Sequence, residues 1–199
     1  IFIWILARSV GFSILQAVLS AGFATLFGIL LGLLLGLSTH KITRGISFLN
    51  RSIGHIAFYL PTVTISLIVL QISRSADSFP QRGLWPIVWA HFLINCCFVG
   101  ASTEKRVRDY LNGEGLAIFE MAALVGANNL TLYWNVFRKV VLDEFKSFFP
   151  LILMWSFSAF STVLILGGGP EYSAPELLLF YSLKTDFDAT RIFLIMLTQ

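Results

Sequence analysis

The chain has 199 residues, of which 56% are apolar and only 13% charged, with a net charge of +3 and a pI near 9.0. A soluble domain carries about 25% charged residues to stay dispersed, so this composition excludes an ordinary soluble fold and makes lipid the natural solvent. The small basic excess is scattered among acids, with no basic stripe or aromatic-interleaved platform; that argues against nucleic acid and matches the charge bias that membrane topology produces.

Crossing a hydrocarbon core of about 30 Å by helix takes about 20 residues, because lipid offers the backbone no other hydrogen-bond partners. The first predicted span covers 10–38, uncharged between Arg8 and His40. In it Gly28, Gly32 and Gly36 are spaced four apart on one face and predict a close helix contact. The second covers 53–73, with Pro61 expected to kink or interrupt it. The third covers 84–102, the fourth 148–166, and a fifth, from about residue 192, is cut short at Gln199. The expected fold class is all-α: a polytopic transmembrane helical bundle of four complete spans plus a truncated fifth, forming one domain over 1–199. The chain opens on Ile1 and shows no signal-peptide pattern, and it reads as a fragment.

Lys41, Arg44 and Arg51 lie in one link, and Lys105, Arg106, Arg108, Arg138, Lys139 and Lys146 in another; both are expected to face the cytoplasm. The link 74–82 is nearly balanced, and the segment after span four holds Glu171, Glu176, Asp186 and Asp188 against Lys184, so these are expected outside. The loop 103–146 is long for a membrane protein and so is expected to bind a partner. Within it 114–125 has helical composition, Gly126-Ala127-Asn128-Asn129 punctuates the chain, and 130–142 resumes with apolar Leu132, Val136 and Val140 and aromatic Tyr133, Trp134 and Phe137. Two short helices joined by a glycine elbow are predicted.

Polar residues inside spans are candidates for a translocation path. His91 and Asn95, four apart, share a face of span three, and Ser158, Ser161 and Thr162 lie in span four beside Ser156. Each has a plainer reading as a hydrogen-bond link or small packing residue between helices. Adjacent Cys96 and Cys97 have no partner at metal spacing and read as packing residues. Gly167-Gly168-Gly169-Pro170 lacks the lysine and strand of a phosphate cradle and is expected to be an outward loop. No HExxH, GxSxG or paired intramembrane carboxylates appear, so no catalytic site, metal or cofactor is expected in this chain.

Glu120-Met121-Ala122-Ala123-Leu124-Val125-Gly126 resembles the E-A-A-x-x-x-G cytoplasmic loop of binding-protein-dependent ABC importer permeases, the MetI-like superfamily. The resemblance implies that this loop docks on a separate ATPase subunit, with Glu120, Ala122, Ala123, Gly126 and Ala127 at the contact. Small Ala122 and Ala123 would permit close approach, Gly126 a backbone bend, and Glu120 a charge for a basic partner group. Met121 stands where the family has a small residue, and the family's later Leu-Pro pair is replaced by Arg138-Lys139.

Ala90-His91-Phe92-Leu93-Ile94-Asn95, and 157–164 leading into Leu166-Gly167-Gly168-Gly169-Pro170, are similar to the first half of thiamine permeases, with ferric-iron permeases as relatives. Gln16-Ala17, Ser20, Leu60-Pro61, Glu176-Leu177, Tyr181 and Asp186-Phe187-Asp188 also fit, whereas Cys97 replaces a usual proline. The resemblance implies a multi-pass protein of the bacterial inner membrane that moves thiamine or its phosphates, or alternatively ferric iron, by alternating access. Its implied partners are ABC ATPase subunits, a second permease half, a periplasmic substrate-binding protein and membrane lipid. An ion-coupled secondary transporter or channel is the rival from another class; it would use intramembrane charges, and His91 alone is offered for proton coupling.

Overall fold

The computed structural model describes residues 2–38, 41–60, 62–75, 80–115, 117–118, 121, 124–126, 129–168, 172–185 and 189–198. Among these residues the chain is all-helical. Its α-helices are α1 (Phe2–Leu37), α2 (Lys41–Tyr59), α3 (Thr62–Ser75), α4 (Leu84–Tyr110), α5 (Asn129–Phe157), α6 (Phe160–Leu166), α7 (Pro175–Thr185) and α8 (Ala189–Met196), with a π-helical turn at Leu111–Gly115. Among the described residues two helices are long and apolar enough to cross a membrane, Ile3–Leu37 and Leu84–Gly113. Phe137–Phe157 and Phe160–Leu166, bent by 60° at their junction, make a third crossing there if they count as one span.

The second span is interrupted, as expected: α2 ends at Tyr59 and α3 begins at Thr62. Pro61, the residue expected to interrupt it, lies outside the described residues. One expectation is corrected: the separation between a loop helix at 130–142 and a fourth span at 148–166 is absent, because α5 is continuous from Asn129 to Phe157. Nothing in Asp143-Glu144-Phe145-Lys146-Ser147 breaks a helix, and its acids are neutralised from α4: Arg106 bonds Glu144 at 2.7 Å and Asp143 at 3.4 Å. The expected fifth span corresponds to α8, eight residues long.

The chain divides into two compact units, Ile1–Ala21 with Leu60–Phe92 and Ile152–Gln199, and Gly22–Tyr59 with Leu93–Leu151. The core of the first gathers Phe12, Val69, Ile87, Ala90, Val163, Leu166, Ala174 and Leu177. Phe12 meets Tyr172 edge-on with ring centroids 5.6 Å apart. The Gly83 N–H donates to the Leu166 carbonyl at 2.7 Å and closes the end of α6.

In the second unit the glycine spacing of α1 acts as expected. A Cβ added at Gly28 would lie 2.6 Å from Val99 Cβ, at Gly32 2.5 Å from Thr103 Cβ, and at Gly36 2.7 Å from Val107 Cγ1. Three successive turns of α1 thus press their backbone onto α4. Lipid is as apolar as leucine, so close packing of this kind, rather than burial of grease, holds membrane helices together. On other faces of the same stretch Leu26, Leu30 and Leu34 are exposed. Below the seam Val107, Phe137 and Val140 form a small core, with Tyr110 edge-on to Phe137.

Candidate translocation and docking sites

The first unit brings together two short helices that each start at a break. α3 begins at Thr62 after α2 has ended at Tyr59, and α6 begins at Phe160 after α5 has ended at Phe157. Hydroxyls join them: Thr62 and Ser161 share a 2.6 Å hydrogen bond, and Ser66 Oγ, which donates to the Thr62 carbonyl at 2.8 Å, lies within 3.2 Å of the Thr162 hydroxyl. A β-hydroxyl near a helix start can satisfy local donors and acceptors without demanding water, which is why serine and threonine suit broken helices.

The sequence-selected path residues do not form one surface. Ser158 is exposed at the break, Ser161 is half-buried and Thr162 is buried against Ser66. His91 and Asn95 are both buried, at 5% and 4% exposure, and His91 Nε2 has no hydrogen-bond partner among the described residues. Thr62 and Ser66 were not selected, although their four-residue spacing just after a proline was a readable signal.

For the docking loop, Glu120, Ala122, Ala123 and Ala127 lie outside the described residues. Gly126 has φ +72°, a left-handed conformation that glycine adopts without steric cost. The preceding turn is held by Val125 N–H donating to the Met121 carbonyl at 3.2 Å. Leu124 and Val125 project with 88% and 86% of their surface exposed.

Sequence reasoning missed a charge cluster in the second unit. Glu104, without exposed surface, accepts from Arg51 of α2 at 2.8 Å and from Arg108 of its own helix at 3.0 Å. Arg108 also donates to the Leu35 carbonyl at 2.9 Å, in the last turn of α1. Glu144 of α5, likewise buried, accepts from Arg106 at 2.7 Å and Thr103 at 3.2 Å. Buried carboxylates are tolerated where arginine and hydroxyl donors compensate their lost water, and here they tie α1, α2, α4 and α5 together.

Known proteins share this arrangement of long apolar helices and broken helices. No family model matches the chain. Over 126 residues, 61% of the chain, it is 36% identical to the thiamine transport system permease protein ThiP of Salmonella typhimurium. It is 30% identical over the same length to ThiP of Escherichia coli. The chain resembles thiamine permeases. The match spans 22% of the length of each of these relatives. In fold it matches a chain from an inward-facing structure of the MetNI methionine ABC transporter with a TM-score of 0.64, covering 98% of this chain and 88% of that one at 13% identity. The chain is therefore an integral membrane protein with the fold of an ABC-transporter chain.

Proposed function

We propose that this chain is part of the transmembrane permease of an ATP-driven importer in the bacterial inner membrane, with thiamine or its phosphates as first candidate solute. The observation that carries this reading is the coincidence of two independent likenesses: sequence to thiamine permeases over 126 residues and fold to an ABC-transporter chain over 98% of the chain. Ferric iron, the second expected solute, has no support among the relatives named above.

In this reading the bundle has four spans and the start of a fifth, and a second permease half, fused or separate, completes the path. ATP hydrolysis belongs to separate ATPase subunits, and a periplasmic binding protein delivers solute to the outer mouth. The segment 103–146 carries the docking contact at Glu120, Ala122, Ala123, Gly126 and Ala127. The exposure of Leu124 and Val125 beside the left-handed Gly126 supports this assignment, because two bare aliphatic side chains beside a tight turn suit an apolar partner cleft. The solute passes Ser158, Ser161 and Thr162, where hydroxyls replace its water. His91 and Asn95 are the further candidates for this path, and alternating access rocks the helices between outward and inward openings.

The test is co-purification of an ATP-hydrolysing subunit with the full-length protein from native membranes, before and after Gly126→Asp. An aspartate has a Cβ that disfavours positive φ and a charge beside an apolar contact, so it is expected to abolish the association. Failure to recover any ATPase in mild detergent overturns the reading. Uptake of labelled thiamine that survives collapse of the proton gradient with ATP maintained supports it further; loss of uptake under that condition favours the ion-coupled rival.

A further inference from the structure

One face of α1 carries Ser9, Ser13, Gln16 and Ser20, at the three- and four-residue spacing of a single helical stripe, and all four are buried. Two of them donate to main-chain carbonyls next to irregular backbone. Ser9 Oγ bonds the carbonyl of Ser173, two residues before α7 begins, at 2.5 Å. Gln16 Nε2 bonds the carbonyl of Ser156, next to the last residue of α5, at 2.6 Å.

In an unbroken helix the Ser156 carbonyl would accept the N–H of Phe160, four residues on. Here that N–H goes to the Ser158 carbonyl at 3.0 Å, and the helix restarts as Val163 N–H donates to the Ala159 carbonyl at 3.2 Å. The last regular link of α5 in this region is Ser158 N–H to the Met154 carbonyl at 3.1 Å. The 60° bend therefore takes away the usual donor of the Ser156 carbonyl, and Ser156 has no exposed surface through which water could replace it. Gln16 supplies the substitute.

The other half of the same amide argues that this donation is what the residue is for. Gln16 Oε1 is buried and has no hydrogen-bond partner among the described residues. Leaving a buried acceptor unpaired is costly, and methionine or leucine would fill the space without that cost. The N–H group is the part of this glutamine that has a partner.

We propose that Gln16 is the positioning residue of the break: its amide stands in for the missing helical donor and fixes where α5 stops, and hence where Ser158 emerges at the surface. The proposal rests on the transport reading only for its consequence, that the break shapes the solute path. The geometric claim stands without it.

The test uses the full-length protein in membranes, with Cys96→Ala, Cys97→Ala and Ser158→Cys, and follows the rate at which a membrane-impermeant maleimide labels the introduced thiol. Gln16→Met keeps the volume and removes the donor; it is expected to change the labelling rate by about tenfold, in keeping with the loss of one buried hydrogen bond, and to reduce uptake comparably. Gln16→Glu restores both when its buried acid is protonated and able to donate. Normalised to the Gln16 parent at each pH, that variant labels like the parent in acid and diverges from it in alkali.

Parental labelling in Gln16→Met overturns the proposal. If that variant fails to accumulate, pH-independent labelling of Gln16→Glu overturns it instead. A labelling change in protein that shows no ATP-driven uptake even as the parent retains the role of Gln16 and removes the transport reading.

Discussion

Glu104 has no exposed surface, whereas its partners Arg51 and Arg108 keep 47% and 33% of theirs. That asymmetry decides which deletion is costly. Glu104→Gln leaves two guanidinium groups that can turn to water, and is expected to destabilise by about 1.5 kcal/mol, the worth of hydrogen bonds to a charged group. Removing both arginines strands a carboxylate in the interior, and the double change Arg51→Ala, Arg108→Ala is expected to cost about 3–5 kcal/mol. Unfolding midpoints in mild detergent rank the two; the reverse order would mean that the arginines are the desolvated members. Nothing in the sequence announced this cluster, because a charge just past an apolar run looks like a solvated one, and only the placement of α2 and of α1's last turn reveals its burial.

Helices, by contrast, were largely legible, and the packing stripe of α1 most of all, since a four-residue glycine spacing describes one helical face; that α4 is its partner is seen only in the structure. Gly32→Ala drives a methyl to 2.5 Å from Thr103 Cβ and 2.7 Å from the Gly100 carbonyl, and overpacking of this kind costs about 1–3 kcal/mol. Gly22 has nothing within 4 Å of an added Cβ, so Gly22→Ala is expected to be neutral or stabilising by up to about 1 kcal/mol through reduced freedom of the unfolded chain. Thermal unfolding of the two variants side by side checks the contrast, and equal losses would mean that glycine acts through flexibility instead of clearance. Breaks were harder to read than contacts. Hydropathy over 53–73 averages across Pro61, and the bend after Phe157 falls at Ser158-Ala159, where neither glycine nor proline marks it. The candidate path suffered accordingly: Ser158 and Ser161 were selected for their chemistry, while Thr62 and Ser66 were passed over despite their spacing after Pro61, and α3 and α6 side by side show them bonded to Ser161 and Thr162.

At the scale of the molecule, the medium is part of the structure. Leu26, Leu30 and Leu34 face outward from the C-terminal third of α1, and an arginine costs up to about 2.5–3.5 kcal/mol on insertion scales, most at the centre of a span. Leu30→Arg is therefore expected to lower membrane insertion of α1 in a glycosylation-mapping assay, whereas Leu30→Phe leaves it unchanged. Orientation is testable in the same protein. With Cys96 and Cys97 replaced by alanine, Ser147→Cys is expected to react with an impermeant maleimide only after permeabilisation, and Ser182→Cys in intact spheroplasts. The opposite pattern overturns the topology read from the lysines and arginines. The glycine seam also has a genetic consequence. At Gly28, Gly32 and Gly36 an added Cβ would lie under 3 Å from atoms of α4, so in a saturation library these codons are expected to be the most depleted of the helix. The leucine codons two positions away accept almost any apolar replacement. Read from survivors alone, without coordinates, that alternation of silence and permissiveness along α1 would trace the line on which two helices touch.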